Sequence, residues 1–124
     1  MDHADYLRDA GIRCLLDVPE SIPAREVPAN VRHNVFLVVK EALQNIVKHA
    51  RATEVWLRFS ATADGLRITV EDNGRGFDRP PEDAWADGLR NMRQRLTEIG
   101  GECRIQSQVG SGTAISVELP WPPG

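Results

Sequence analysis

The feature that most constrains this chain is one long amphipathic helix, predicted from about residue 29 to Ala50. An α-helix turns about 100° per residue. With Glu41 at zero on the wheel, Asn45, Lys48 and His49 fall within about 80° of it. Val35, Val39, Ala42, Leu43 and Ile46 occupy the opposite arc. That is the pattern of a helix laid on a sheet. Pro28 suits the first turn, where its missing N–H costs nothing. The polar side gathers a carboxylate, an amide, an amine and an imidazole in one patch. By itself this patch also fits an ordinary solvated face of mixed charge, and only the glycine motif downstream gives it meaning.

The remaining elements follow from the same kind of reading. Residues 1–10 are expected to be the frayed end of a helix, broken by Gly11. Ile12 to Val18 is a short strand, and Pro19 to Pro28 is a connector whose prolines forbid a regular helix. Strands are expected at Glu54–Phe59 and Leu66–Val70, joined through the Asp64-Gly65 turn as an antiparallel hairpin. Residues 78–87, with Pro80-Pro81 and no periodicity, are expected to be a mobile loop of the kind that acts as a lid. Trp85 within it reads as a loop anchor or as a contact to a partner surface. Gly88-Leu89 is expected to open a second helix, with Leu89, Met92, Leu96 and Ile99 as its core stripe and Gly100-Gly101 as its left-handed cap. Strands Glu102–Ser107 and Thr113–Leu119 close the chain around a turn at Val109–Gly112, and Pro120 to Gly124 is a tail.

Helices interleaved with antiparallel hairpins predict an α+β fold: a two-layer α/β sandwich whose mixed, mostly antiparallel sheet is covered by helices on one face. A doubly wound parallel sheet is disfavoured, because few strand–helix–strand crossovers are available. The 124 residues suit one domain. The net charge of −3 argues against a nucleic-acid binder. No apolar run approaches the roughly 20 residues that span a bilayer, and the acidic start lacks a signal-peptide core, so neither membrane contact by this domain nor export is expected, which leaves a parent protein free to be membrane-anchored. Cys14 and Cys103 lie far apart in apolar runs and read as small hydrophobes rather than a disulfide or metal pair. A reducing cytoplasm is the matching compartment.

Two motifs carry chemistry. In Asp72-x-Gly74-x-Gly76, at a strand end, the glycines allow left-handed angles and close approach of a ligand. A carboxylate there accepts a hydrogen bond from an exocyclic amine such as that of adenine, or else satisfies local backbone N–H groups. It is neither a Walker loop nor a dinucleotide fingerprint. Gly110-Ser111-Gly112-Thr113 reads as a hairpin turn, to which the Thr113 hydroxyl adds a contact for a ligand's polar edge.

Taken in order, Glu41, Asn45 and Lys48-His49-Ala50, then Asp72-x-Gly74-x-Gly76-Phe77, then Gly88-Leu89-x-Asn91-Met92, then Gly100-Gly101 and Gly110-Ser111-Gly112-Thr113 resemble the GHKL superfamily. That superfamily groups gyrase-type ATPases, histidine kinases and mismatch-repair ATPases. The chain is most similar to the catalytic ATP-binding domain of short-lid sensor histidine kinases, which pair with DNA-binding response regulators. The resemblance covers residues from about 10 to 120 and implies a Bergerat-type ATP-binding fold over 1–124. It implies ATP and Mg²⁺ as cofactors, with Asn45 as the metal ligand and Lys48 and His49 on the phosphates. Asp72 would take the adenine amino group, with Gly74 and Gly76 giving close approach. Gly88 and Leu89 would lie at the lid hinge, Thr113 would reach adenine through water, and Glu41 would act near the γ-phosphate, making Glu41 and Lys48 the catalytic pair.

The partners implied are the dimerisation and phosphoacceptor helices and a response regulator. Two departures stand out. Asp87 occupies a place where such relatives commonly carry His, which alters the charge beside the phosphates. No dimerisation helix pair or acceptor motif accompanies the domain: His3 lies in a short tail, and His33 reads as an exposed or capping residue. The chain is therefore expected to be a separated catalytic domain, either a fragment or a stand-alone protein. Two alternatives share the fold: a serine kinase acting on a transcription regulator, like the anti-sigma factors of this superfamily, and a nucleotide-gated binding module without catalysis.

Overall fold

A computed structural model describes residues 10–17, 28–76 and 83–120, with the backbone alone at 83–85. The expected N-terminal helix with His3, most of the proline connector, the loop just before Asp83, the Trp85 side chain and the tail lie outside the described residues. The elements are β1 (Arg13–Asp17), α1 (Ala29–Asn45) running on as a π-helical turn (Ile46–Ala50), β2 (Glu54–Ala61), β3 (Gly65–Asp72), α2 (Asp83–Glu98), β4 (Glu102–Gln108) and β5 (Gly112–Pro120). The sheet order is β1-β2-β3-β5-β4. β1 pairs parallel with β2, and every other pairing is antiparallel. This is the mixed, mostly antiparallel sheet expected.

Strand alternation decides which face the helices cover. Val55 and Leu57, Ile68 and Val70, and Ile115, Val117 and Leu119 are buried on one face. They pack against Val38, Val39, Ala42, Leu43 and Ile46 of α1 and Leu89, Met92 and Leu96 of α2. Burying a side chain of this kind contributes about 1.5–3 kcal/mol, so this single layer dominates the fold. The other face carries Arg58–Glu71 at 2.8 Å and Arg67–Glu118 at 2.6 Å. Exposed pairs of this sort contribute only about 0–1 kcal/mol.

Local signals account for the ends of the elements. Pro28 is the N-cap of α1, and its carbonyl accepts from the N–H groups of Val31 and Arg32 at 3.1 Å. α2 ends at Gly100, φ +79°, where the Gly101 N–H donates to Leu96 O at 2.7 Å. This is the paired-carbonyl cap that two glycines permit. His33 is exposed near the start of α1, as expected. Cys14 and Cys103 are half-buried on opposite edge strands, so no disulfide joins them. Among the described residues no helix is long and apolar enough to cross a membrane.

Two expectations need correction. The long helix does not stay α-helical to Ala50: its last five residues widen into a π turn, which Arg51 closes at φ +53°. The second helix begins at Asp83, so Gly88 and Leu89 lie inside it rather than opening it, and residues 83–87 are not loop. Glycine inside a helix costs about 1 kcal/mol. Burial of Leu89, Met92 and Leu96 along the same stripe outweighs that cost.

Candidate functional site

The register places three polar residues in one row at the end of the sheet. Asp72 of β3 lies opposite Thr113 of β5, which lies opposite Ser107 of β4. Paired residues share a face, so all three point to the helix-covered side. Asp72 and Thr113 are buried. The Gly74 N–H donates to Asp72 Oδ1 at 2.7 Å. Burial pushes the Asp72 carboxyl above its ordinary range; the Gly74 and Thr113 backbone N–H groups pull it back, and the neighbouring Glu71 charge adds to the rise. So Asp72 does satisfy a local N–H group, while a carboxylate has about four acceptor positions and retains capacity for more.

The glycine corner is pressed against the end of α1. A Cβ on Gly74 would run into the Ala50 carbonyl and lie 2.8 Å from Asp72 Oδ1. The loop is fixed from outside as well: Asn73 Oδ1 accepts from the N–H groups of Thr53 at 3.0 Å and Glu54 at 2.9 Å. Asp72 and the helix that carries Asn45 and His49 therefore meet at one end of the molecule.

Arg75 joins the three pieces. Its Nε donates to His49 O at 2.7 Å, its backbone N–H donates to Ala50 O at 2.8 Å, and its carbonyl accepts from Gly110 N–H at 2.6 Å. A cation on the last carbonyls of a helix also complements the negative end of its dipole. In sequence this residue is the spacer of a glycine motif, and nothing in the spacing singles it out. Arg75→Ala removes the charge-assisted bond and should lower stability by about 1.5–3 kcal/mol. Amide hydrogen exchange over residues 46–51 should speed up, and Arg75→Lys should restore little of it, since a lysine lacks the fixed fork. Unchanged exchange in that segment would count against the clamp.

The polar stripe of α1 is not a solvated face. Asn45 is 5% exposed and His49 is also buried, while Glu41 is half-buried and Lys48 open to solvent. α2 lies across the stripe: a Cβ on Gly88 would run into Glu41 Oε1 and lie 3.1 Å from Asn45 Nδ2. Gly88 is thus a point of close helix approach, and Leu89 is a core residue. Asp87 pairs with Arg90 on the exposed side of α2, which offsets its charge.

Asn45 Nδ2 is buried with no hydrogen-bond partner among the described residues. An amide turned over presents its oxygen at the same place. A buried amide oxygen of this kind fits a hard divalent cation. An open depression of about 530 Å³ at the same end of the sheet is bordered by Asp72, Ser107 and Thr113, but also by Glu71, Gln106 and Ala114 of the opposite face. It wraps the end of the sheet. Ser107, which sequence reasoning passed over as an ordinary strand residue, belongs to this corner; only its register with Thr113 marks it.

Comparison with known proteins identifies the family of the chain. The family described as histidine kinase-, DNA gyrase B-, and HSP90-like ATPase matches residues 30–123. The sensor histidine kinase LiaS of Bacillus subtilis is 34% identical over 105 residues, covering 85% of this chain and 29% of that protein. The sensor protein VraS of Staphylococcus epidermidis is 33% identical over 116 residues, covering 94% of this chain and 33% of that one. The chain therefore spans about a third of the length of these relatives. Among solved structures, the histidine kinase domain of the blue-light activated histidine kinase EL346 of Erythrobacter litoralis superposes with a TM-score of 0.76 at 28% identity, covering 96% of this chain and 57% of that one. The Acinetobacter baumannii histidine kinase AdeS shares the fold, with a TM-score of 0.77 at 18% identity over 96% of this chain and 59% of that one.

Proposed function

Because this chain belongs to the family of histidine kinase-, DNA gyrase B- and HSP90-like ATPases, we propose that it is the ATP-binding catalytic domain of a two-component sensor histidine kinase. It transfers the γ-phosphate of ATP to a histidine on a separate pair of dimerisation helices, and a response regulator receives the phosphate next. It works in the cytoplasm as one domain over residues 1–124, with neither nucleic acid nor membrane as its own contact. The observation that carries this reading is the junction of the Glu41–Asn45–His49 stripe with the Asp72–Gly74 corner.

The residues divide the work. Asp72 receives the base amine, and Gly74 and Gly76 let its loop pack tightly on Ala50 and on the β4–β5 turn, which holds the carboxylate at the corner. Thr113 lies beside Asp72 for a water-bridged contact. Lys48, exposed beside the buried part of the stripe, supplies positive charge to the phosphates, and His49 flanks it. Asn45 would hold Mg²⁺, which when bound neutralises phosphate charge and fixes its geometry. Glu41, next to Asn45, orients the incoming acceptor nitrogen. Phosphoryl transfer demands positioning and charge neutralisation more than covalent help from the protein, and these residues supply both.

The test is ATP-analogue binding with and without Mg²⁺, followed by transfer from labelled ATP to a separately made acceptor-helix domain. The product should be acid-labile, as phosphohistidine is; an acid-stable product would support the serine-kinase reading, and binding without transfer the gating one. Asn45→Ala should abolish the Mg²⁺ dependence of binding. It should leave thermal stability nearly unchanged, because a buried unsatisfied donor already costs about 1–3 kcal/mol. Magnesium dependence that survives the substitution would remove Asn45 from the metal.

A further inference from the structure

We propose that Arg75 is a positioning residue for the nucleotide: by clamping the end of α1 it holds the phosphate side of the site, Lys48 and His49, at a fixed span from the base side, Asp72. The inference rests on the ATP-binding reading above and adds what ties its two halves together. Those halves come from elements that share no hydrogen-bond ladder. Asp72 ends β3, and its neighbour Asn73 ties that strand end to the start of β2. Lys48 and His49 lie in the π turn that ends α1. Arg75 reaches across: its Nε donates to His49 O at 2.7 Å and its N–H to Ala50 O at 2.8 Å. Both acceptors lie within two residues of Lys48, and Arg75 lies three residues from Asp72, so little backbone separates the clamp from either group. The Gly110 N–H donates to the Arg75 carbonyl at 2.6 Å, which fixes the clamp to the β4–β5 turn.

The π turn is what makes this clamp matter for the ligand. Its bonds close over five residues where an α-helix closes over four, so it competes with the ordinary ladder and persists where outside contacts support it. The last carbonyls of a helix have no partner within it. Arg75 supplies a donor to two of them, one carrying charge. Without that side chain the His49 carbonyl loses its charged donor, and the α-helical ladder gains on the π turn. The change turns Lys48 and His49 about the helix axis relative to Asn45, the last residue of the α-helical part. A nucleoside triphosphate has a limited reach from base to phosphates, so a cation swung off that line no longer meets them. The base side is spared. The backbone N–H groups of Gly74 and Thr113 support the Asp72 carboxylate, and neither bond uses the Arg75 side chain.

The test measures dissociation constants of the whole chain for adenosine and for Mg-ATP, at a temperature where each variant is folded. Their ratio reads what the triphosphate adds. Arg75→Ala should weaken Mg-ATP by about tenfold and adenosine by less than about twofold. A merely structural residue would weaken both ligands alike and leave the ratio where it was. Lys48→Ala gives a second reading from Mg-ATP alone. It should cost about tenfold in the parent and less than about threefold in Arg75→Ala, where the cation is already out of place. Arg75→Lys has a methylene where arginine has Nε, so it keeps the charge and loses the bond; it should lower the ratio as alanine does, and it carries the test should Arg75→Ala not fold. A ratio unmoved by Arg75→Ala, additive losses in the Lys48 pair, or a ratio kept at the parental value by Arg75→Lys overturns the proposal. The last result would make Arg75 a direct cation on the phosphates. If the unsubstituted chain binds neither ligand, the nucleotide reading falls and takes the clamp with it; if it binds both and the ratio ignores Arg75, only the clamp falls.

Discussion

Asp72→Asn should weaken ATP-analogue binding by about ten- to a hundredfold and yet not lower the thermal midpoint of the unliganded protein at pH 7. The first half follows from the hydrogen bond lost. Bonds to a charged group contribute about 1.5–3 kcal/mol, and about 1.4 kcal/mol is a factor of ten in affinity. The asparagine amide also brings N–H groups against the amine of the base. The second half follows from linkage. Burial raises the Asp72 carboxyl above its ordinary value of 3.8. Between the unfolded and folded values the native state holds more protons than the unfolded state. Stability therefore falls as pH rises through that window, and the full cost of the buried charge stands at neutral pH. Asparagine carries no charge to desolvate and still accepts from the Gly74 N–H. The stability advantage of Asp72→Asn should shrink as pH is lowered toward 4, measured by thermal unfolding across pH. A variant less stable than the parent at pH 7 would show that the carboxylate supports the fold and that its burial is not a cost of binding.

Gly76→Ala should be the most damaging single methyl in the motif, lowering stability by more than about 4 kcal/mol. Gly76 has φ +64°, and a Cβ there would run into the Gln108 carbonyl oxygen, lie 2.7 Å from its carbon and 3.0 Å from Gly112 O. All of these are backbone atoms of the β4–β5 turn, so no side chain can swing aside. The thermal midpoint should drop by more than about 10 °C, since about 1 kcal/mol moves a domain of this size by several degrees. Gly110→Ala is the control. Gly110 also has positive φ, at +83°, but a Cβ there meets nothing within 4 Å. It should cost only about 1–2 kcal/mol, the left-handed penalty alone. Equal costs at the two positions would mean that backbone angle, not the contact with Gln108, governs the corner.

Periodicity was enough for the layers. The apolar arc of α1, the Asp64-Gly65 turn, the Gly100-Gly101 cap and the alternation of β5 are local patterns, and each sits where its spacing puts it. The start of α2 was not legible. Gly88 and the absence of period in 78–87 argue for loop, and only packing of Leu89 and Met92 on α1 draws the helix back to Asp83. The π turn over Ile46–Ala50 was hidden for a related reason: what satisfies its last carbonyls is Arg75, a residue of a distant loop.

Sequence alone determined the residue types of the corner and their order: the carboxylate at a strand end, its two glycines, the amide and cations on one helix face. These are short-range matters of side-chain period and backbone freedom. Tertiary structure alone decided how they meet. Register set Ser107, Thr113 and Asp72 in one row, and the crossing of α2 over Glu41 and Asn45 turned a polar face that reads as solvated into a buried one. Pairing across strands and contact between helices depend on atoms far apart in the chain, and no spacing within a segment encodes their distance.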